Sequence, residues 1–139
     1  PYYTLTNISK NGDNISSATV SINGGNGIRL PNKNEWSYAA SGGVLGTSHK
    51  YPGTDDSNNM WYFNNANGTT HNVGELNPNE LGLYDMAGNV WEMTEGDSSD
   101  SEMMGISVWD DDSFDYNNGP QIYYGSCLEV LGFRVCRNN

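Results

Sequence analysis

Basic residues are scarce in this chain: six Lys and Arg stand against seventeen Asp and Glu, and none lies between Tyr51 and Phe133. At a formal net charge of −11 it lacks the basic footprint that nucleic acid or an anionic membrane surface requires, so neither is an expected partner. A basic or hydroxyl-rich partner is easier to accommodate. Apolar runs are short as well. None approaches the roughly 20 residues of a membrane-spanning helix, and no direct membrane insertion is expected. Cysteine is limited to Cys127 and Cys136, which match no metal-ligand spacing; a short-loop disulfide and two buried thiols are both open. The two histidines, His49 and His71, stand apart in loops without a carboxylate or cysteine at ligand spacing, and each reads as a surface residue. No Ser-His-Asp arrangement, phosphate-binding glycine loop or Gly-x-Ser-x-Gly elbow is present.

What the chain has instead is glycine, asparagine and large rings. Seventeen Gly, nine Tyr and four Trp in 139 residues favour turns and long loops, yet the aromatic content argues against disorder. The length suits one domain with one modest core, expected to span residues 1–139.

Short β-prone runs at Tyr2 to Leu5 and Ala18 to Ile22, separated by Asn11-Gly12 and followed by Gly24 to Gly27, predict a hairpin or two edge strands. Pro31 to Ala40 predicts one short helix, with Pro or Asn at its start, Trp36, Ala39 and Ala40 at helical spacing, and Gly42-Gly43 as its stop. From Gly42 to Pro78 the sequence reads as loop, which the Trp61-Tyr62-Phe63 knot would pin to the core. Val90 to Met93 and Val130 to Arg137 are the expected strands of a small central sheet, with Trp36, Trp91 and Phe133 expected to fill the core.

Four elements occur in a telling order: Arg29-Leu-Pro31, Glu35-Trp36, Leu81-Gly-Leu-Tyr-Asp-Met-Ala-Gly-Asn-Val-Trp-Glu-Met-Thr94 and Gly132-Phe-Arg-Val135. Together they resemble the formylglycine-generating-enzyme or sulfatase-modifying-factor family. The resemblance implies an α+β, C-type-lectin-like fold, loop-rich, with a small antiparallel sheet and one or two short helices. The family's domain usually has more chain before its Arg-Leu-Pro element, and this one begins at Pro1, so truncation at the N-terminus is expected.

Asp85, Gly88, Val90 and Glu92 are the candidate metal ligands. Two hard carboxylates with backbone carbonyls between them match what calcium takes, and in the resembled family this pattern supplies a structural calcium site. The alternative is that Asp85 and Glu92 hold the turn by bonds to backbone N–H groups. The family's enzymes place two copper-binding cysteines after a Gly-Gly-Ser element; here that element is Gly105-Ile-Ser107, and Asp110 and Asp115 occupy the matching places. A carboxylate cannot replace the soft thiolate that selects Cu(I), so no copper and no formylglycine chemistry are expected. Arg134 reads as structural, pairing with a buried carboxylate or carbonyl near the sheet.

Residues 108–126 have a different character. They mix rigid aromatic area with adaptable polar groups, as antibody-like surfaces do. Trp109, Phe114, Tyr116, Tyr123 and Tyr124 are the expected anchors, and Asp110, Asp111, Asp112, Asn117, Asn118, Gln121 and Ser126 the polar contacts. In family members diversified by retroelements of phages and bacteria, the variable residues occupy this interval. The resemblance thus implies a non-enzymatic ligand- or receptor-binding domain, extracellular, on a bacterial surface or a phage particle, with a protein or glycan ligand on a cell surface. Two rivals stand beside it. One is a sulfatase-modifying oxidoreductase of unrecognised chemistry. The other is a calcium-dependent sugar-binding lectin, whose usual Glu-Pro-Asn motif is absent and only weakly echoed by Asn77-Pro78-Asn79.

Overall fold

A computed structural model describes residues 3–12, 14–96, 100–119, 121–123 and 129–138. In chain order the elements are β1 (Tyr3–Asn11), β2 (Asn14–Ile22), β3 (Ile28–Arg29), α1 (Lys33–Ala40), β4 (Trp91–Met93), β5 (Asp100–Met104), β6 (Gln121–Tyr123), β7 (Leu131–Phe133) and β8 (Cys136–Arg137), with single 3-10 turns at Gly43–Leu45 and Ser57–Asn59. They form two compact units, Pro1–Leu30 with Val135–Asn139, and Pro31–Arg134.

In the first unit, β1 and β2 make the expected antiparallel hairpin, running from the Tyr3↔Ile22 pair to Asn11↔Asn14. Its ladder shifts register between Thr6 and Ser9, where Asn7 takes a positive φ of 50°, the signature of a bulge that bends one strand. β3 pairs antiparallel with β8, and the Arg29 guanidinium donates to Asn138 Oδ1 from Nε at 3.2 Å and from Nη2 at 2.6 Å.

The second unit holds a four-stranded sheet in the order β6-β5-β4-β7. The sheet is mixed rather than wholly antiparallel: β5 runs antiparallel to both β4 and β6, and β7 runs parallel to β4. The pairs Glu92↔Met104, Glu92↔Gly132, Trp91↔Leu131 and Met93↔Met103, combined with the two-residue pleat, divide the side chains between two faces. Trp91 and Met103 join Ala66, Val108 and Val130 in one cluster. On the other face, Met104 joins Met86 and the α1 residues Trp36 and Ala40. A third cluster, Tyr51, Met60, Tyr62, Ala87 and Ile106, belongs to the loops.

α1 begins where the sequence places it. Asn32 caps it reciprocally with Glu35: the Glu35 N–H donates to Asn32 Oδ1 and the Asn32 N–H to Glu35 Oε2, both at 2.9 Å, a capping box worth about 1 kcal/mol. The run from Val130 to Arg137, expected as one strand, is two: β7 ends at Phe133, and Arg134 leaves the ladder to reach Glu92. Phe133, expected in the core, is 68% exposed at the end of this strand, which is an outer strand of its sheet among the described residues. The Trp61-Tyr62-Phe63 knot also divides. Tyr62 is buried, Trp61 packs on the Trp91 cluster and stacks on His71 with ring centroids 3.7 Å apart, and Phe63 is 63% exposed.

Candidate functional site

The central polar contact of the larger unit joins helix, sheet and C-terminal segment. Glu92 on β4 is buried, and its Oε2 accepts from Trp36 Nε1 at 2.6 Å and from Arg134 Nε at 2.5 Å, while Oε1 accepts from Arg134 Nη2 at 2.6 Å. Nη2 also points to the carbonyls of Tyr84 and Asp85 at 3.2 and 3.4 Å. The expected structural role of Arg134 is therefore observed, in the fork geometry that guanidinium and carboxylate share.

Asp85, Gly88, Val90 and Glu92 line one open depression together with Arg134 and Phe133. The turn between them is tightly fixed: Asp85, Gly88 and Asn89 all have positive φ, and a Cβ on Gly88 would stand 2.6 Å from both the N and O of Trp61. The Gly74 N–H donates to Asp85 Oδ2 at 2.8 Å, so this carboxylate does hold backbone. In kind, two carboxylates with intervening carbonyls fit calcium. One of the two is already neutralised by Arg134. Among the described residues no cluster of three or more acid, His or Cys groups suited to a metal occurs.

Residues 108–119 of the expected binding segment form a loop held by its own turns, and residues 121–123 are β6. Val108 is buried, and Ser107 and Asp110 close a turn in which the Ser107 N–H and hydroxyl donate to Asp110 Oδ2 at 2.9 and 2.6 Å. The Asp110 N–H returns to the Ser107 carbonyl at 3.2 Å. Held on this turn, Trp109 is 50% exposed. Asp111 is exposed at the next turn, where its Oδ1 accepts from the Ser113 N–H at 2.8 Å and from the Ser113 hydroxyl. These bonds, the hydroxyl's first, hold the Asp111 carboxyl below its ordinary value of 3.8. Phe114 is 39% exposed and sets its ring edge-on to Trp91 at 5.2 Å.

Several expected contact residues have other roles. Tyr116 packs against two core clusters, with its ring 6.5 Å from that of Trp36, and so supports the loop rather than anchoring a partner. Asp110 is committed to the Ser107 turn, and Asp115 Oδ1 accepts from the Asn117 N–H at 3.0 Å. The two aspartates at the matching cysteine positions are thus turn-formers. Asn117 Oδ1 is buried without a hydrogen-bond donor among the described residues, whereas Asn118 is exposed. Tyr124, Ser126 and Cys127 lie outside the described residues, as do the side chains of Gln121 and Tyr123.

Two neighbours were not legible in the sequence. The Phe63 N–H donates to the Asp110 carbonyl at 2.9 Å, which ties the segment of the exposed Phe63 to the 108–112 segment. On the other side, Tyr51 Oη donates to the Asp112 carbonyl at 3.1 Å, and Lys50 Nζ stands 3.9 Å from Asp112 Oδ2 and 4.7 Å from the centre of the Tyr51 ring. His49, read as an isolated surface residue, has Nδ1 3.2 Å from Asp55 Oδ2 and Nε2 3.9 Å from Glu80 Oε1. The Phe63–Asp110 and Tyr51–Asp112 contacts join residues far apart in the chain, 61 apart in the second case, so no local pattern announces them.

Similarity to known proteins agrees with this arrangement. The chaperone protein LppX of Paenibacillus barcinonensis is 38% identical over 116 residues, covering 66% of this chain and 41% of that protein. The inactive C-alpha-formylglycine-generating enzyme 2 of Bos taurus is 37% identical over 79 residues, covering 49% of this chain and 26% of that one. The chain thus spans less than half the length of either relative. Among solved structures, Treponema denticola variable protein 1 superposes with a TM-score of 0.75 at 29% identity, over 99% of this chain and 63% of that one. CarF does so at 0.76 and 28%, over 99% and 57%. The fold is C-type-lectin-like, and the profile of the sulfatase-modifying factor enzyme 1-like domain matches residues 6–138. The chain is a member of that family.

Proposed function

We propose that this chain is a non-enzymatic binding domain of the diversified variable-protein kind, a lectin-like scaffold that presents residues 108–126 to a macromolecular ligand. The observation that carries the reading is the loop itself. Its buried and turn-forming residues, Ser107, Val108, Asp110 and Tyr116, alternate with surface-exposed Trp109, Asp111, Phe114 and Asn118. A fixed frame with exposed rings and polar groups is what an adaptable contact surface needs. Likeness to a variable protein and to an inactive family member supports the same reading. So do the turn-forming aspartates where the family's enzymes carry copper-binding cysteines, because carboxylates do not select Cu(I).

The proposed ligand is a protein or glycan on a cell surface, and the proposed location is extracellular, on a bacterial surface or a phage particle. Calcium belongs to the proposal as a structural ion. The Asp85 and Glu92 carboxylates, with the Gly88 and Val90 carbonyls, would hold it, and its charge would brace the 85–92 turn.

Sequencing the coding locus from several isolates tests the reading. Substitutions should concentrate at exposed positions of 108–126 while Ser107, Val108, Asp110 and Tyr116 stay fixed. An even spread would overturn it, as would formylglycine production by the copper-loaded protein on a sulfatase-derived cysteine peptide.

A further inference from the structure

Three exposed rings and two carboxylates come from two segments of the larger unit that a backbone bond ties together. The Phe63 N–H donates to the carbonyl of Asp110, the residue after Trp109. Phe114 follows one turn later, through its N–H bond to the Asp111 carbonyl at 3.3 Å. All three rings are exposed, although buried aromatic positions exist for Trp91 and Tyr62 in the same unit. Between Trp109 and Phe114 in the chain come Asp111, exposed, and Asp112, whose side chain is 40% exposed. No Lys or Arg occurs from Tyr51 to Phe133, so neither this loop nor its Phe63 neighbour supplies a cation of its own. Among the described residues, the cation that does arrive is Lys50, from the margin. Its ammonium lies over the Tyr51 ring and near Asp112, combining a ring face with a carboxylate.

We propose that this face, Phe63, Trp109, Asp111, Asp112 and Phe114, docks a protein segment bearing Arg or Lys, whose cation takes the ring-plus-carboxylate arrangement that Lys50 already adopts. The inference rests on the binding-domain reading and deepens it by naming the ligand's chemistry. Exposed rings attract a cation through their negative faces, and the two carboxylates, which Lys50 at Asp112 balances only in part, raise its local concentration and reject acidic surfaces. A neutral glycan could stack on the rings but would leave the carboxylates without a charged partner. The arrangement therefore favours a basic protein ligand. Phe63, some 45 residues before the loop, becomes part of the surface, as roughly expected where a lectin-like scaffold supports one loop on another.

The test uses labelled peptides of one length, one carrying Arg between aromatic or aliphatic residues and its twin carrying citrulline, the uncharged isostere. The whole chain should bind the Arg peptide at least tenfold more tightly than the twin. Asp111→Asn with Asp112→Asn should remove most of that difference, and so should Phe63→Ala with Trp109→Ala, with melting temperatures unchanged. Glu75→Gln with Glu129→Gln removes the same net charge outside the face and should change affinity less than twofold. Equal losses in the two carboxylate pairs would reduce the effect to overall charge and overturn the proposal, as would equal binding of Arg and citrulline peptides. If the citrulline peptide binds as well as the Arg peptide while locus variation still clusters in 108–126, the ligand chemistry is wrong and the binding-domain reading survives. If that variation is evenly spread, the reading beneath it fails as well.

Discussion

At Glu92 a carboxylate meets Trp36 and Arg134 in the interior, whereas Asp111 and Asp112 stand near Trp109 and Phe114 at the surface. The residue types are the same in both regions, and their outcomes are opposite. At Glu92 every strong demand is met within the chain: the indole N–H has an acceptor, and the carboxylate has a guanidinium in two-point contact. Such a closed set tolerates burial because no charge is left without a partner. At the surface loop the carboxylates have hydroxyl and amide donors but, apart from Lys50 at Asp112, no cation. The difference teaches that placement of the few cations decides which aromatic-acid cluster becomes framework and which remains available to a ligand.

The largest expected effect comes from treating the aromatic residues of the two regions alike. Trp36→Ala and Trp91→Ala each empty a buried site and should cost about 3–5 kcal/mol, read as a large fall in the denaturation midpoint. Trp109→Ala and Phe63→Ala should stay within about 0.5 kcal/mol of the parent. Comparable losses in both sets would break the comparison and return the loop rings to the core.

Next is the ion pair. Arg134→Leu leaves the Glu92 charge buried with Trp36 as its remaining side-chain donor, and should cost about 3 kcal/mol. A double variant, Arg134→Leu with Glu92→Gln, should recover part of that loss because the orphaned charge is gone. If the double variant is less stable than the single one, the pair is not what holds this junction.

Much of the interior region was legible before the structure, and much of the surface was not. The sequence places a Pro or Asn at the α1 start and sets Arg134 against a buried carboxylate or carbonyl, because burial leaves few ways to satisfy a charge. The reciprocal Asn32–Glu35 cap and Glu92 as the partner of Arg134 emerge only in the structure. β5 was missed since Asp100 to Glu102 is polar, and it is a strand by virtue of partners on both sides, which no local periodicity reports. Tyr116 was misplaced for a related reason. Its neighbours Asp115 and Asn117 look like surface, yet the Tyr116 carbonyl accepts from the Gly105 N–H at 2.8 Å, drawing the ring toward Trp36. Phe133 erred in the opposite direction, being apolar in a strand that is an outer one of its sheet among the described residues.

Calcium sharpens the comparison at a smaller scale. With Arg134 balancing Glu92, the side chains at the proposed site carry one net negative charge rather than two, and fewer ligand charges mean weaker binding. A site with a dissociation constant of about 1 mM would add roughly 1.4 kcal/mol at about 10 mM calcium. Melting should therefore rise modestly with calcium, saturate late and lose its calcium dependence in Asp85→Ala. Identical melting curves with calcium and with chelator would remove the ion from the proposal.

The smallest effect belongs to Asp111, whose carboxyl is held below 3.8 by the Ser113 hydroxyl and N–H. Since the folded value lies below the unfolded one, the stability this group contributes is present above the unfolded value and is lost as pH falls through the folded one. Ser113→Ala removes the hydroxyl and keeps the N–H, so the Asp111 midpoint should move up toward 3.8 without reaching it, measured by carbon-detected NMR titration. At neutral pH the variant should bind an Arg peptide as the parent does, because the carboxylate is ionised in both. Near pH 4 the parent should hold the peptide more tightly than the variant, because more of its Asp111 remains charged. An unchanged midpoint would mean that Ser113 does not bond Asp111 in solution. A shifted midpoint with identical binding near pH 4 would remove Asp111 from the docking face and leave Asp112 to carry the contrast with Glu92.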